Sequence, residues 1–163
     1  MLRNNRWQSF GDARINSVGG GRPSFFHNCR SEPYKVQEDG MKRILANFFM
    51  TRDGAEPVRD WLQSLDKRDR HIIGSDIAMV EFGWPIGMPT CRPVRDRVRK
   101  VRSTIRSGRV EASTYFGIDD NIMLLLHGEE GKDRQKAAIE LAVLRWKEHL
   151  QRTRRMKKLE KGK

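Results

Sequence analysis

Cysteine, tyrosine and long apolar runs are all scarce in this chain. Cys29 and Cys91 are its only cysteines. Two thiols cannot frame a disulfide-built domain, and they have no Cys/His spacing of the zinc type around them. The longest apolar run, Ile122–Leu126, is the length of a strand and far short of the ~18 residues a membrane span needs. The N-terminus has no apolar core of signal-peptide type, so the expected compartment is the cytoplasm, with reduced thiols and no membrane partner. There is no nucleotide-binding glycine loop, no GxSxG and no HExxH, which leaves no motif for a bound cofactor or metal. The paired carboxylates Asp119-Asp120 and Glu129-Glu130 read as turn residues. Acid is also short: 21 Asp+Glu stand against 33 Lys+Arg, a formal charge of +12 over 163 residues. That balance points to an anionic partner, with nucleic acid first.

The positive charge is unevenly distributed. Residues 1–40 carry +2, residues 41–150 carry +4 and residues 151–163 carry +6. A nearly balanced domain over 41–150 therefore precedes a basic tail over 151–163. Residues 1–40, with Gly19-Gly20-Gly21, scattered Ser and Asn and no sustained period, read as a disordered arm. Met41 opens the first strongly patterned segment, which makes it a candidate for the true translation start.

Within 41–150 the hydrophobic period changes three times. Residues 42–50 (KRILANFFM) read as a strand closed by Asp53-Gly54. Asp53, Glu56 and Pro57 then signal a helix start, and Val58, Trp61, Leu62 and Leu65 recur at helical spacing. Asp66 can cap a second helix with Asp69 in its first turn, an apolar stripe of Ile73, Ile77 and Val80, and an end at Gly83-Trp84-Pro85. Residues 97–105, 109–116 and 121–127 read as three strands joined by Ser107-Gly108 and Asp119-Asp120-Asn121. The last of them is the most apolar and is expected at the centre. From about Asp133 a terminal helix places Ile139, Ala142, Val143, Trp146 and Leu150 on one face. The expected fold is α+β: a small antiparallel sheet of about four strands, an N-terminal αα-hairpin and a C-terminal helix.

The chemistry-bearing pattern is cationic. Seven basic residues crowd the stretch from Arg95 to Arg109. At a side-chain period of two, Lys100 and Arg102 share one face of a strand, and Arg97 and Arg99 share the other. A cationic row on a sheet suits a phosphate backbone, and Arg offers a planar fork of donors to phosphate oxygens. Arg97, Arg99 and Arg106 are the candidate nucleic-acid contacts of this stretch, which the resemblance described below makes RNA contacts. His127 ends an apolar strand, either as a proton-transfer group or as a histidine bonded to a backbone carbonyl. Tyr115 reads either as a base-stacking platform or as packing.

Ordered motifs extend this reading. Gly54-Ala55-Glu56-Pro57-Val58-Arg59-Asp60-Trp61-Leu62 resembles the G-x-E-P-V-R-x-W-L opening of phage-derived HigB-like toxins, a branch of the RelE/ParE superfamily of type II toxin–antitoxin systems. Asp69-Arg70, Ile73-Gly74 and Asp76-Ile77 follow in register. Glu81-Phe82-Gly83-Trp84-Pro85-Ile86-Gly87-Met88-Pro89, Val101-Arg102-Ser103, Gly108-Arg109 and Leu124-Leu125-Leu126-His127-Gly128 complete the series, which covers roughly 42–150. Where the branch usually shows an aromatic and a Lys-Lys pair after His-Gly, this chain has Glu129-Glu130-Gly131-Lys132.

The resemblance implies a RelE-like fold and ribosome-dependent cleavage of mRNA without a metal or small-molecule cofactor. It also implies a cognate antitoxin, encoded by an adjacent gene, that covers the basic surface. By similarity Lys100, Arg102 and Arg109 occupy the strand positions that carry catalytic cations, with His127 or Lys132 for proton transfer. Arg134 and Lys136 are further RNA contacts after the last strand. The alternative is a superfamily member that binds a protein target such as DNA gyrase, or only its antitoxin. A plain DNA-binding module ranks last, because no helix-turn-helix with a basic recognition helix is visible.

Overall fold

The computed structural model describes residues 41–162, and Gly40–Lys163 form one compact unit. The arm expected over 1–40 lies outside the described residues. The element order is β1 (Leu45–Phe48), α1 (Pro57–Ser64), α2 (Lys67–Gly83), β2 (Cys91–Arg95), β3 (Val98–Ile105), β4 (Val110–Asp119), β5 (Ile122–Glu130) and α3 (Gln135–Lys161). This is a small α+β fold with N-terminal helices, one five-stranded sheet and a C-terminal helix.

The sheet differs from the expected one in three ways. Its order is β1-β5-β4-β3-β2, so β4 is central and apolar β5 lies beside it. β1 pairs with β5 in parallel, Leu45 opposite Ile122 and Phe48 opposite Leu125, which makes the sheet mixed rather than antiparallel. β2 was not anticipated, because Pro93 interrupts a short arginine-rich segment. It forms the far edge against β3, where a proline and exposed arginines suit an unpaired border.

The α1–α2 pair starts largely as its residues dictate. Pro57 opens α1, where a missing N–H costs nothing. Asp53 does not cap it; the preceding residues turn through Gly54 at φ +86°. Asp66 caps α2, its Oδ1 accepting from the backbone N–H of Asp69 at 2.9 Å. At the other end of α2, buried Glu81 accepts from Lys42 Nζ at 2.8 Å and from the Ala46 N–H at 2.7 Å. Its own carbonyl takes the N–H groups of Arg43 and Ile44. Those bonds seat β1 at the sheet edge and satisfy a carboxylate that would otherwise be costly to bury.

The two faces of the sheet separate within one dipeptide of β4. Tyr115 joins the cluster of Trp146, Ala142, Val143, Val98 and Leu126 under α3. Phe116 turns the other way and meets Trp84, just past α2, edge to face at 6.3 Å. Two glycines let indoles lie flat on the strands. A Cβ on Gly117 would come within 2.4 Å of Trp146, and one on Gly128 within 2.0 Å of Trp61. Burying each large apolar side chain here contributes about 1.5–3 kcal/mol. α3 runs without a break through 151–161, so the basic tail is helical over that length.

Candidate functional site

The site is assembled on the sheet face that α3 also packs against. Lys100 lies opposite Tyr115, Arg102 opposite Ser113 and Thr104 opposite Glu111. In β5, His127 lies opposite Tyr115 and Glu129 opposite Ser113. Directly paired residues share a face, so one patch gathers Lys100, Arg102, Glu111, Tyr115, His127 and Glu129. The period-two reading therefore holds for Lys100 and Arg102. Arg99 does take the opposite face, its guanidinium 5.1 Å from the Trp84 ring centroid. Arg97 is not on a strand face. It sits between β2 and β3 at φ 66°, beside Asp96 at φ 52°.

Glu111 is the hub of the cationic side. It forms an ion pair with Arg102. The Arg102 hydrogen bond and the positive charges of Arg102, Lys132 and Lys100 together hold its carboxyl below the usual range. Next to it opens a shallow pocket of about 440 Å³ lined by Thr104, Gly108, Arg109, Glu111 and Lys132, among others. The β3–β4 turn brings Arg109 there. Arg106 and Ser107 take φ 51° and 55°, and Gly108 takes φ 90°. The turn is clamped from below, where buried Asp69 accepts the Arg106 N–H at 2.9 Å. Lys132 enters from the end of β5 through Gly131, whose N–H bonds the Glu111 carbonyl at 2.8 Å.

Lys100 is 5% exposed and makes no ion pair among the described residues. Burial is the main influence on its ammonium and pushes its pKa down, against the opposing pull of Glu111 and Glu129. Glu129 is also buried and accepts from the Tyr115 hydroxyl at 2.6 Å. Tyr115 is fully buried, so packing accounts for it and its ring cannot serve as a platform for a base. Burial and the Glu129 carboxylate drive its phenol pKa well up, keeping it a neutral donor.

His127 stacks on Tyr115 with centroids 6.3 Å apart. Its Nδ1 is 3.4 Å from Arg145 Nη1, and Arg145 also donates to the Leu126 carbonyl at 2.7 Å. Arginine can only donate, so Nδ1 accepts and the neutral ring carries its proton on Nε2. Burial, then Arg145, lowers the His127 pKa. Its Nδ1 faces the Arg145 guanidinium rather than a backbone carbonyl group.

The remaining candidates are dispersed. Arg106 pairs with Glu130 across the turn. Arg134 is the residue before α3 and Lys136 is in its first turn, both exposed. Sequence reasoning missed Glu111, Arg145 and Asp69. Glu111 had a usable signal, since an acid alternating with small and apolar residues in a strand two positions after an arginine invites a cross-strand pair. Among the described residues no three His, Cys, Asp or Glu side chains are grouped as metal ligands, and no described helix is long and apolar enough to cross a membrane. No family model matches the chain, and a search of curated proteins finds no match.

Proposed function

We propose that this protein is the toxin of a type II toxin–antitoxin pair, an endoribonuclease of RelE/HigB type that cuts translated mRNA. The observation that carries the reading is the convergence around Glu111 of Lys100 and Arg102, from one sheet face, with Arg109 and Lys132, from the turns at its end. Cleavage of this kind begins when a ribose 2′-oxygen attacks the adjacent phosphorus. The P–O2′ bond forms, the P–O5′ bond breaks, and negative charge grows on the non-bridging oxygens. Arg102, Arg109 and Lys132 supply donors and positive charge for that state, carried by a strand and by turns of which one is anchored through Asp69. Lys100, 5% exposed, lies beneath this surface and adds positive charge behind Arg102. The 2′-proton passes to solvent water at this open surface, because the acceptor nitrogen of His127 is turned to Arg145.

A second reading rests on the same patch. Arg102 and Arg106 are already engaged by Glu111 and Glu130, as they would be in a superfamily member that binds a protein target, such as DNA gyrase, or only its antitoxin.

Induced expression with mapping of mRNA 5′ ends separates these readings. The nuclease yields codon-phased cuts that vanish in Arg102→Ala and Arg109→Ala. Growth arrest with intact mRNA and induction of the SOS response indicates gyrase. The absence of any effect indicates a protein that only pairs with its antitoxin.

A further inference from the structure

Several of the domain's cations are paired in place, while Lys100, Arg109 and Lys132 beside Glu111 make no ion pair with a described residue. Arg102 faces Glu111, Arg106 faces Glu130, Lys42 faces Glu81 and Lys147 faces Asp96. The far end of α3 carries a separate, longer run of cations. Arg145, His149 and Arg152 fasten the helix to the domain by bonds to the Leu126 carbonyl at 2.7 Å, to Asp119 at 2.8 Å and to the Met50 carbonyl at 2.7 Å. Beyond Thr153 every described residue is exposed. Arg154, Arg155, Lys157, Lys158 and Lys161 lie in that segment, and none makes an ion pair with a described residue.

Their spacing is directional. At about 100° per residue, Arg154, Lys157, Lys158 and Lys161 fall within an arc of roughly 100°. Met156 and Leu159, 60% and 69% exposed, continue the opposite stripe, the one that carries Arg145, His149 and Arg152. The row of cations is about 10 Å long, comparable to a few phosphate spacings of a nucleic-acid strand. Several of these cations are i,i+3 or i,i+4 neighbours, so they repel one another along the bare helix. A polyanion laid along the row removes that repulsion. A second copy of this helix would add to it, and two exposed apolar side chains are too few to seat the helix in a lipid surface.

We propose that the distal segment of α3, Arg154–Lys161, is a docking arm for the phosphodiester backbone of single-stranded RNA, separate from the sheet-face site. The inference does not depend on the nuclease reading. It gives the helix a share of ground-state binding beside that of the sheet face, which acts on the phosphate it receives. Recognition is by charge and is indifferent to base sequence.

The test uses the full chain and a labelled 2′-O-methyl oligouridylate, which lacks the attacking hydroxyl, so binding is read whether or not the protein cleaves RNA. The log of the association constant is measured against the log of salt concentration. In the triple variant Lys157→Gln, Lys158→Gln, Lys161→Gln the slope should shrink by roughly two, and affinity should fall about tenfold or more. Thermal stability should change little, because these side chains are exposed and make no ion pair with a described residue. Replacing the same three lysines by arginine should retain wild-type binding. An unchanged slope in the glutamine variant overturns the proposal. So does a salt dependence lost only in Arg102→Ala or Arg109→Ala, which would place binding on the sheet. Tighter binding of polyglutamate than of RNA, abolished by Met156→Ser with Leu159→Ser, would overturn it in favour of an acidic protein partner.

Discussion

The buried carboxylate of Asp69, in the first turn of α2, accepts the backbone N–H of Arg106 at 2.9 Å. That contact spans 37 residues of sequence and fixes the turn that carries Arg109 to the pocket. Asp69→Ala leaves a backbone donor without its partner next to a left-handed residue, at a cost of about 1–3 kcal/mol. Asp69→Asn keeps an acceptor in place and should lose much less. Urea denaturation measures both. If the clamp positions Arg109, RNA cleavage should fall in Asp69→Ala at temperatures where the variant is still folded.

Gly117 and Trp146 test the packing of α3. A methyl group on Gly117 would meet the indole at 2.4 Å, and Trp146 is 2% exposed, so the ring has no free space to move into. Gly117→Ala should destabilise the domain by about 1–3 kcal/mol, the usual range for overpacking. A blue-shifted tryptophan emission that moves toward the red would show that the ring has left its seat. Unchanged stability and emission would mean that α3 packs elsewhere.

His127 makes stability depend on pH. Its folded pKa lies below the ordinary value near 6.5 because of burial and Arg145. Between the two values the unfolded chain binds a proton that the folded chain does not, so stability falls as pH drops from 6.5 toward the folded pKa. Above 6.5 both states are neutral and the contribution is flat. His127→Gln removes this dependence, so the difference in unfolding free energy between pH 7.5 and pH 5.5 should be smaller in the variant than in the wild type. Equal differences would show that His127 titrates alike in both states.

The helices and the three-strand core were legible in the sequence, because each carries a complete local signal. The cap at Asp66, the stripe Ile73–Ile77–Val80 and the turn residues Ser107-Gly108 sit where their chemistry requires. Parallel pairing of β1 with β5 was not legible, since no local pattern states which edge a distant strand will join. β2 was hidden by Pro93. β5 runs to Glu130, where Tyr115 and Arg106 donate to the carboxylates of Glu129 and Glu130; those donors lie far away in sequence, so two adjacent carboxylates read as a turn. Lys100 was legible as a cation on the right face. Its burial was not, because depth depends on what packs around a strand rather than on the strand itself.

Arg102 and Glu111 bear most directly on activity. Their pair is partly exposed, with 40% and 23% of the two side chains accessible, so its contribution to stability is small, about 0–1 kcal/mol. Its effect on a phosphate ligand is larger, because the carboxylate occupies donors that a phosphate oxygen would use. Glu111→Gln frees the guanidinium and adds one net positive charge. Binding of the uncleavable oligouridylate should tighten roughly two- to fivefold, in line with an exposed pair worth up to about 1 kcal/mol. Cleavage of ordinary RNA should fall at the same time, since Arg102 loses the contact that holds its donors in place, and preorganisation rather than affinity governs stabilisation of the developing charge. Tighter binding with faster cleavage would identify Glu111 as a brake on the site. No change in either would remove the pair from the RNA-facing surface and favour the protein-binding reading.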